Sequence, residues 1–205
     1  EREAQEIILT IYCVNPAKNI KSYLSKFHTA IFFSATLSPI RYYVDIFGGD
    51  EKSYRMKLPS PFNKDNLKVF VSPINIRYKH RKRTLKHVVD KILSFVKEEK
   101  GNYMIFAPSY NYMNLLWEEI QKIDIEDYIF IKQESSMNED EKEDYLKKFR
   151  NNRNIIGLCV IGGMFAEGVD LPGEKLIGAV VIGVGYPKID TYNEIIREFY
   201  EEEGY

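Results

Sequence analysis

The residues best suited to chemistry lie in a glycine-rich, acidic stretch at positions 162–176. It reads Gly-Gly-Met-Phe-Ala-Glu-Gly-Val-Asp-Leu-Pro-Gly-Glu-Lys-Leu and lies between two apolar runs, Ile155–Ile161 and Ile177–Val184. A buried strand that ends in glycines and acidic residues brings backbone and carboxylates close to a ligand at the edge of a sheet. Sheet edges of this kind bind nucleotides.

This stretch has two interpretations. It can be a tight turn between strands, with Gly168 and Gly173 in left-handed conformations and Glu167 and Asp170 in solvent. Alternatively, Asp170 is a binding group, because a carboxylate between the apolar Val169 and Leu171 needs a partner if it is buried. Ribose hydroxyls, or cations from another domain, would supply that partner. We favour the functional interpretation.

A second candidate is the run Phe33-Ser-Ala-Thr-Leu-Ser-Pro-Ile40. Ser38 is predicted to cap a helix whose first turn holds Pro39. Ser34 and Thr36 are either ordinary polar residues at a strand end or two hydroxyls at the carboxyl end of a buried strand, where α/β sheets bind ligands.

A third candidate is Phe106-Ala-Pro-Ser-Tyr110, where a strand is again predicted to end and a helix to begin. Ser109 can serve simply as the helix cap. It can also join the free N–H groups of the helix start in holding a nucleic-acid phosphate. Tyr110 would then stack on a base, or pack on its own helix.

The run from Arg77 to Arg83 is the dense basic cluster of the sequence. Most charge runs are solvated faces, but this one precedes a helix, where cations oppose the helix dipole. A phosphate backbone would explain Arg77, Lys79, Arg81 and Arg83 at this place, with Tyr78 available for stacking.

Composition restricts the class of protein. Of 205 residues, 44% are hydrophobic and 29% charged, which is typical of a soluble globular domain and excludes collagen and disorder. The formal net charge of −1 offers no general attraction to nucleic acid, so such binding would need a local patch.

Cysteine and histidine usage predicts neither a disulfide framework nor a metal site. Cys13 and Cys159 are too few, and His28, His80 and His87 share no metal-ligand spacing with them. No apolar run approaches the roughly 20 residues that span a bilayer, and the first residues do not resemble a signal peptide. We therefore expect a cytoplasmic protein with no membrane partner.

Strand-like and helix-like segments alternate along the chain. Strands are predicted at Ala30–Ala35, Leu67–Ser72, Tyr103–Ala107, Tyr128–Lys132, Ile155–Ile161 and Gly178–Val184. Helices are predicted at Thr84–Glu99, Asn111–Ile123, Asn138–Arg150 and Thr191–Glu203, the third opened by a Ser136 to Glu139 capping box. This alternation predicts an α/β domain with a mainly parallel sheet covered by helices on both faces. The proline-containing stretch 48–66 is predicted to be a linker.

Three of these motifs, in this order, resemble motifs III, IV and V of superfamily 2 helicases of the XPD/DinG type. They are the segments 34–39, 106–110 and 163–170, and the runs Leu58–Phe62 and Val181–Pro187 are also similar to that family. The resemblance implies a three-layer RecA-like fold of the P-loop NTPase type. It also implies that residues 1–66 lead from a first motor domain and that 67–205 form the second, truncated before the arginine-finger motif.

Such helicases clamp ATP between two motor domains and step along single-stranded DNA. The resemblance implies that Ser34, Ala35 and Thr36 couple ATP hydrolysis to DNA movement. It also implies that Glu167, Gly168 and Asp170 face the nucleotide, and that Ser109 and Tyr110 lie on the DNA side. The partners implied are single-stranded DNA and the missing first motor domain.

The chain departs from the family pattern in what it lacks. We find no phosphate loop, no Asp-Glu-Ala-His box, no four-cysteine iron-sulfur site and no Gln-x-x-Gly-Arg-x-x-Arg motif. We therefore expect no complete catalytic set and no cofactor bound by this chain alone. ATP and Mg²⁺ would act in the full-length enzyme, and any iron-sulfur cluster would lie outside this chain.

Two rival functions remain open at this point. One is a non-catalytic α/β interaction module that retains the helicase scaffold. The other is a small-molecule enzyme such as a nucleotide-sugar transferase, which would need a catalytic base and a donor pocket that we cannot assign.

Overall fold

The computed structural model describes residues 9–123, 125–185 and 190–205, and the chain divides into two compact units. One unit comprises residues 69–186, and the other combines residues 1–68 with 187–205. The helices, in chain order, are α1 Ala17–Leu24, α2 Ile40–Ile46, α3 Arg81–Glu98, α4 Tyr110–Ile120, α5 Glu139–Asn151 and α6 Thr191–Glu202. The strands are β1 Tyr103–Ala107, β2 Ile129–Lys132, β3 Ile155–Val160 and β4 Gly178–Val181.

The four strands found in the described residues belong to one parallel sheet in the unit of residues 69–186. The strand order is β2-β3-β1-β4, and every neighbouring pair is parallel. Parallel neighbours need crossover connections. Helix α4 connects β1 to β2 and helix α5 connects β2 to β3, whereas the glycine-rich stretch connects β3 to β4. Because β1 and β3 are adjacent, with Ala107 opposite Val160, the turns that follow these strands begin at one edge of the sheet.

Helices cover the sheet on both faces because successive residues of a strand point to opposite sides. Tyr103, Ile105 and Ala107 pack in the core formed with α3 and α4, whereas Met104 packs in the core formed with α5. The α3 stripe repeats at helical spacing, as expected, and consists of Val88, Val89, Ile92, Leu93 and Val96. This three-layer α/β architecture confirms the predicted fold class and is consistent with a RecA-like domain.

A buried asparagine joins three chain segments at the amino end of the sheet. Asn102 is 1% exposed, and the Ile155 backbone N–H donates to its Oδ1 at 2.8 Å. Its Nδ2 lies within hydrogen-bonding distance of three carbonyl oxygens, those of Phe149, Asn152 and Lys175, at 3.0 to 3.1 Å. One side chain therefore links the end of α5, the start of β3 and the segment before β4, with the two Nδ2 protons shared among the three carbonyls.

Two strand predictions are wrong. Residues 30–35 and 67–72 form neither strand nor helix, and their apolar side chains are largely exposed, with Phe33 at 89% and Val71 at 87%. An apolar run favours burial, but a strand also requires a neighbour with which to share hydrogen bonds. Within the described residues, neither segment pairs with the sheet.

Several element ends also differ from the prediction. Helix α3 begins at Arg81 rather than Thr84, so it includes part of the basic run. The capping box of α5 is formed by Asn138 and Glu141, not by Ser136, because Asn138 has the side chain that reaches the third helical N–H. Ser38 does not cap α2, whose N-cap position is Pro39 and has no side-chain cap.

The unit of residues 1–68 and 187–205 is helical and open. In its described parts it contains α1, α2 and α6, a short 3₁₀ turn at Lys64–Asn66, and no buried residue. Tyr42 and Tyr200 meet edge to face at 5.3 Å, and Tyr205 lies 5.6 Å from the Tyr42 ring. In the described part of the chain, every helix is too short or too polar to span a bilayer.

Candidate functional site at the carboxyl edge of the sheet

The turn that follows β1 places Ser109 at the start of α4. Its hydroxyl accepts a hydrogen bond from the Tyr112 backbone N–H at 3.3 Å, so Ser109 is the N-cap. The cap satisfies one of the free N–H groups at this helix start. Ser109 and Tyr110 are both half-buried, which leaves part of each side chain accessible at the sheet edge.

The turn that follows β3 is anchored in the core at two points. Phe165 is 2% exposed and packs against the Tyr145 ring, with the ring centroids 4.5 Å apart, and Leu171 is 8% exposed. Gly162 starts the turn with a φ of 72°, a left-handed conformation that favours glycine. The anchors hold the residues between them in place, and the remainder of the stretch projects from the sheet.

The tip of the glycine-rich turn, residues 166–170 between the two anchors, contains the predicted nucleotide-facing residues. Glu167, Gly168 and Asp170 are all exposed, and Gly168 has a φ of 68° with open space where a Cβ would lie. Left-handed Gly168 and Gly173 with exposed Glu167 and Asp170 are what the tight-turn interpretation expects. Asp170 is not buried, so the expectation that burial would require a partner for its carboxylate does not apply. The Asp170 carboxylate has no hydrogen bond or ion pair within residues 9–123, 125–185 and 190–205, so it is available to a ligand or to another domain.

A residue that sequence reasoning missed links the two turns. Gln133 follows β2 and is 2% exposed; its Nε2 donates to the Tyr110 hydroxyl at 2.7 Å. The Val160 backbone N–H at the end of β3 donates to its Oε1 at 3.1 Å. A polar residue directly after an apolar strand was the available signal, because strand ends in parallel sheets carry ligand sites.

The basic run divides into exposed and packed members. Arg77, Lys79 and Arg83 are exposed around the start of α3. Arg81 instead packs over the Tyr112 ring at 5.4 Å, and its Nε donates to the Ile76 carbonyl at 3.2 Å. Arg81 therefore has a structural role as well as its charge, and it brings the basic run next to the first turn of α4.

Tyr112, beneath that arginine, is buried and its hydroxyl has no hydrogen-bond partner among the described atoms. Burial raises the pKa of Tyr112, and the positive charge of Arg81 opposes that rise. The ring is neutral at physiological pH and serves Arg81 as an aromatic surface.

The Ser34, Ala35 and Thr36 group belongs to the other unit. The Ser34 and Thr36 hydroxyls lie 3.1 Å apart, and the Thr36 backbone N–H donates to Ser34 Oγ at 3.2 Å. All three residues are exposed in a local turn rather than at the end of a strand. One of the two hydroxyls therefore donates to the other, and both are exposed.

The described residues offer no metal site and no reactive thiol at this edge. No group of three or more His, Cys, Asp or Glu side chains in that part of the chain could hold a metal ion. Burial raises the pKa of the Cys159 thiol to about 12, and a hydrogen bond with Tyr145 opposes the rise. Cys159 is thus a core residue rather than a nucleophile.

Comparison with known proteins identifies the family of this chain. Residues 92–205, more than half of the chain, match the family model described as a helicase C-terminal domain. That range begins within α3 and includes the whole sheet, Gln133, and both turns at its carboxyl edge.

Three curated relatives are similar over most of this chain. A probable ATP-dependent helicase of Methanocaldococcus jannaschii is 26% identical over 77% of the chain and 24% of its own length. The ATP-dependent DNA helicase CHL1 of Vanderwaltozyma polyspora is 24% identical over 90% of the chain and 24% of its own length. The helicase subunit XPD/RAD3 of the general transcription and DNA repair factor IIH of Saccharomyces cerevisiae is 25% identical over 93% and 26%.

The chain spans about a quarter of the length of these relatives. The order of its motifs, its parallel three-layer sheet and the family match all agree. The chain belongs to the helicase C-terminal domain family and is of the XPD/DinG type within superfamily 2.

Proposed function

We propose that this chain is the second motor domain of an ATP-dependent DNA helicase that acts in DNA repair or replication. The observation that carries the proposal is the meeting of two turns at one sheet edge. The cap of α4 follows β1, and the glycine-rich turn follows the adjacent β3. In parallel α/β sheets, ligands bind outside the carboxyl ends of the strands.

We assign the nucleotide-facing role to the tip of the glycine-rich turn. Glu167, Gly168 and Asp170 are exposed, and Gly168 lets the backbone approach a ligand closely. In the full-length enzyme, ATP with Mg²⁺ would supply the free energy for movement as its γ-phosphoryl group is transferred to water and ADP is released. A phosphate loop would come from the first motor domain, so the isolated chain is expected not to hydrolyse ATP.

We assign residues 1–66 to the connection from that first domain, and residues 67–205 to the second. In this scheme Ser34, Ala35 and Thr36 couple hydrolysis to DNA movement. Their hydroxyls are exposed and hydrogen-bonded only locally within the described residues, so a ligand or a partner domain can recruit them.

We assign the single-stranded DNA surface to Ser109, Tyr110 and the basic run. The Arg81 guanidinium lies against Tyr112 in the first turn of α4, so the cations and the helix start lie on neighbouring surface. Phosphates favour such a place because the N–H groups of a helix start and nearby cations both attract anions.

Removing the three exposed cations of the run should weaken DNA binding. We expect the Arg77→Ala, Lys79→Ala, Arg83→Ala variant of the full-length protein to bind oligothymidylate less tightly. Its salt dependence should be shallower by about 2 in log–log slope, since each lost phosphate contact on a single strand removes roughly 0.7. Arg81 stays in place because its packing on Tyr112 would confound the result. Fluorescence anisotropy across a salt series makes the measurement.

A matched control removes three exposed lysines elsewhere in the same unit. Lys91 and Lys97 lie farther along α3 and Lys148 lies on α5, so their replacement changes the net charge equally. The control should keep the salt slope of the parent. Equal salt slopes for the two variants would contradict DNA binding by the basic run and would support its interpretation as a solvated charged face.

The motor assignment itself is tested on the full-length protein by its ATPase activity with and without single-stranded DNA. We expect hydrolysis that rises severalfold when DNA is added. A full-length protein that binds neither ATP nor DNA would instead favour the non-catalytic interaction module.

A further inference from the structure

Gln133 has a buried polar side chain, and the cost of burying it requires an explanation. It follows β2 at the carboxyl edge of the sheet, and its backbone N–H donates to the Leu158 carbonyl at 2.9 Å. Its side chain then turns into the space between the starts of the two functional turns. Buried amides are costly unless both of their ends are hydrogen-bonded, and here both are.

The backbone decides which way round the amide lies. The Val160 backbone N–H can only donate, so the atom that faces it must be the carbonyl oxygen Oε1. The amide nitrogen Nε2 must therefore face Tyr110, at 2.7 Å from its hydroxyl oxygen. Gly163 lets the amide approach this closely, because a Cβ there would lie 3.3 Å from Nε2.

This orientation determines whether the Tyr110 hydroxyl donates to or accepts from Gln133. Since Nε2 has only protons to offer, the Tyr110 oxygen must accept, and its own proton remains unused. Among the described residues, the Tyr110 hydroxyl has no second hydrogen-bond partner, and its side chain is half-buried at the sheet edge. A hydroxyl with an available proton is a donor suited to a phosphate oxygen.

We propose that Gln133 is a positioning residue that makes the Tyr110 hydroxyl accept from the protein and donate to a phosphate of the bound DNA strand. This inference rests on the proposed function, because it assumes that the α4 start lies on the DNA surface. It adds a specific donor and the buried residue that orients it.

The near-isosteric Gln133→Glu substitution reverses this hydrogen bond. An introduced carboxylate still accepts from the Val160 N–H, but it also accepts from the Tyr110 hydroxyl. The Tyr110 proton is then no longer available to a phosphate. We expect the full-length Gln133→Glu protein to bind fluorescent oligothymidylate about tenfold more weakly, as Tyr110→Phe should. The double variant should be no weaker than Tyr110→Phe alone, apart from the general effect of one added negative charge.

That general effect is measured with Gln121→Glu. Gln121 is exposed at the opposite end of α4, so its replacement adds the same charge away from the sheet edge. Thermal unfolding of each variant separates a loss of binding from a loss of folded protein.

The pH profile gives a readout that a purely structural role would not produce. Desolvation raises the pKa of a buried carboxyl, and in its protonated form the introduced group can donate to Tyr110 as the amide does. The affinity of Gln133→Glu should therefore approach that of the parent at low pH and fall as pH rises. The charged residues that flank position 133 are Lys132 and Glu134, and they pair with each other at 3.6 Å. The unmodified protein has the same pair, so its own pH profile is the control for their charges.

The possible results separate the two proposals. If the unmodified full-length protein does not bind oligothymidylate, the proposed function fails, and this inference fails with it. If the unmodified protein binds and Tyr110→Phe binds equally well, only the role of Gln133 is overturned, even if Gln133→Glu does not fold. Additive losses in the double variant would also overturn it.

Discussion

Replacing Asn102 with alanine is expected to destabilise the sheet-containing unit by about 3–5 kcal/mol. The Asn102 side chain accepts from the Ile155 N–H and lies within reach of the Phe149, Asn152 and Lys175 carbonyls. Alanine removes the partner of the Ile155 N–H and the two Nδ2 protons that the three carbonyls share, in a site that is 1% exposed. Each buried group that loses its partner costs roughly 1–3 kcal/mol, although the cost is reduced where water enters. The denaturant midpoint of unfolding measures the change.

Asn114→Ala is the matched control for this prediction. Asn114 is exposed on α4, and its Oδ1 accepts from the Lys132 ammonium at 3.2 Å. Loss of this solvent-exposed contact should change stability by less than about 0.5 kcal/mol. Similar midpoints for the two variants would show that the Asn102 hydrogen bonds contribute little to stability.

The second large effect is expected at Asp170. In the full-length protein, Asp170→Ala should lower the DNA-stimulated rate of ATP hydrolysis by about 100-fold, the effect typical of a lost preorganised polar group at a reaction site. The carboxylate is exposed and has no partner within the described residues, so its removal should leave the fold intact. Steady-state ATPase assays at saturating DNA, with circular dichroism of each variant, test both statements.

Glu174→Ala controls for the loss of a negative charge from the same stretch. Glu174 lies beyond the Leu171 anchor and pairs with Arg153 at 3.0 Å on the surface, where such pairs contribute little. It should retain the parental rate. An unchanged rate of ATP hydrolysis in Asp170→Ala would contradict the nucleotide-facing role proposed for the tip of the turn.

The sheet was predictable from sequence because its central strands are fully apolar and its helices are strongly periodic. β1 was predicted to the residue and β3 to within one, since buried parallel strands read as continuous apolar runs. The segments 30–35 and 67–72 contain equally apolar runs but pair with no strand in the described structure. Local sequence carries the tendency to be buried, whereas pairing depends on residues far away in the chain.

The candidate site likewise has parts that the sequence predicts and parts that it does not. Its backbone-determined parts, the Ser109 cap and the left-handed Gly168, could be predicted because they depend on the residue itself. Gln133 and Arg81 could not be assigned their roles, because these depend on contacts with Tyr110 and Tyr112 across the fold. Side-chain partners distant in sequence leave no local pattern.

The two apolar anchors of the glycine-rich turn have a thermodynamic consequence for any ligand. Phe165 and Leu171 hold both ends of the tip against the core, so the backbone of Glu167 and Gly168 has already lost much of its conformational freedom. A ligand that docks on this tip does not have to immobilise a long, loose loop, and more of its contact energy therefore appears as affinity. Weakening an anchor should thus lower the affinity for the ligand without altering any group that contacts it.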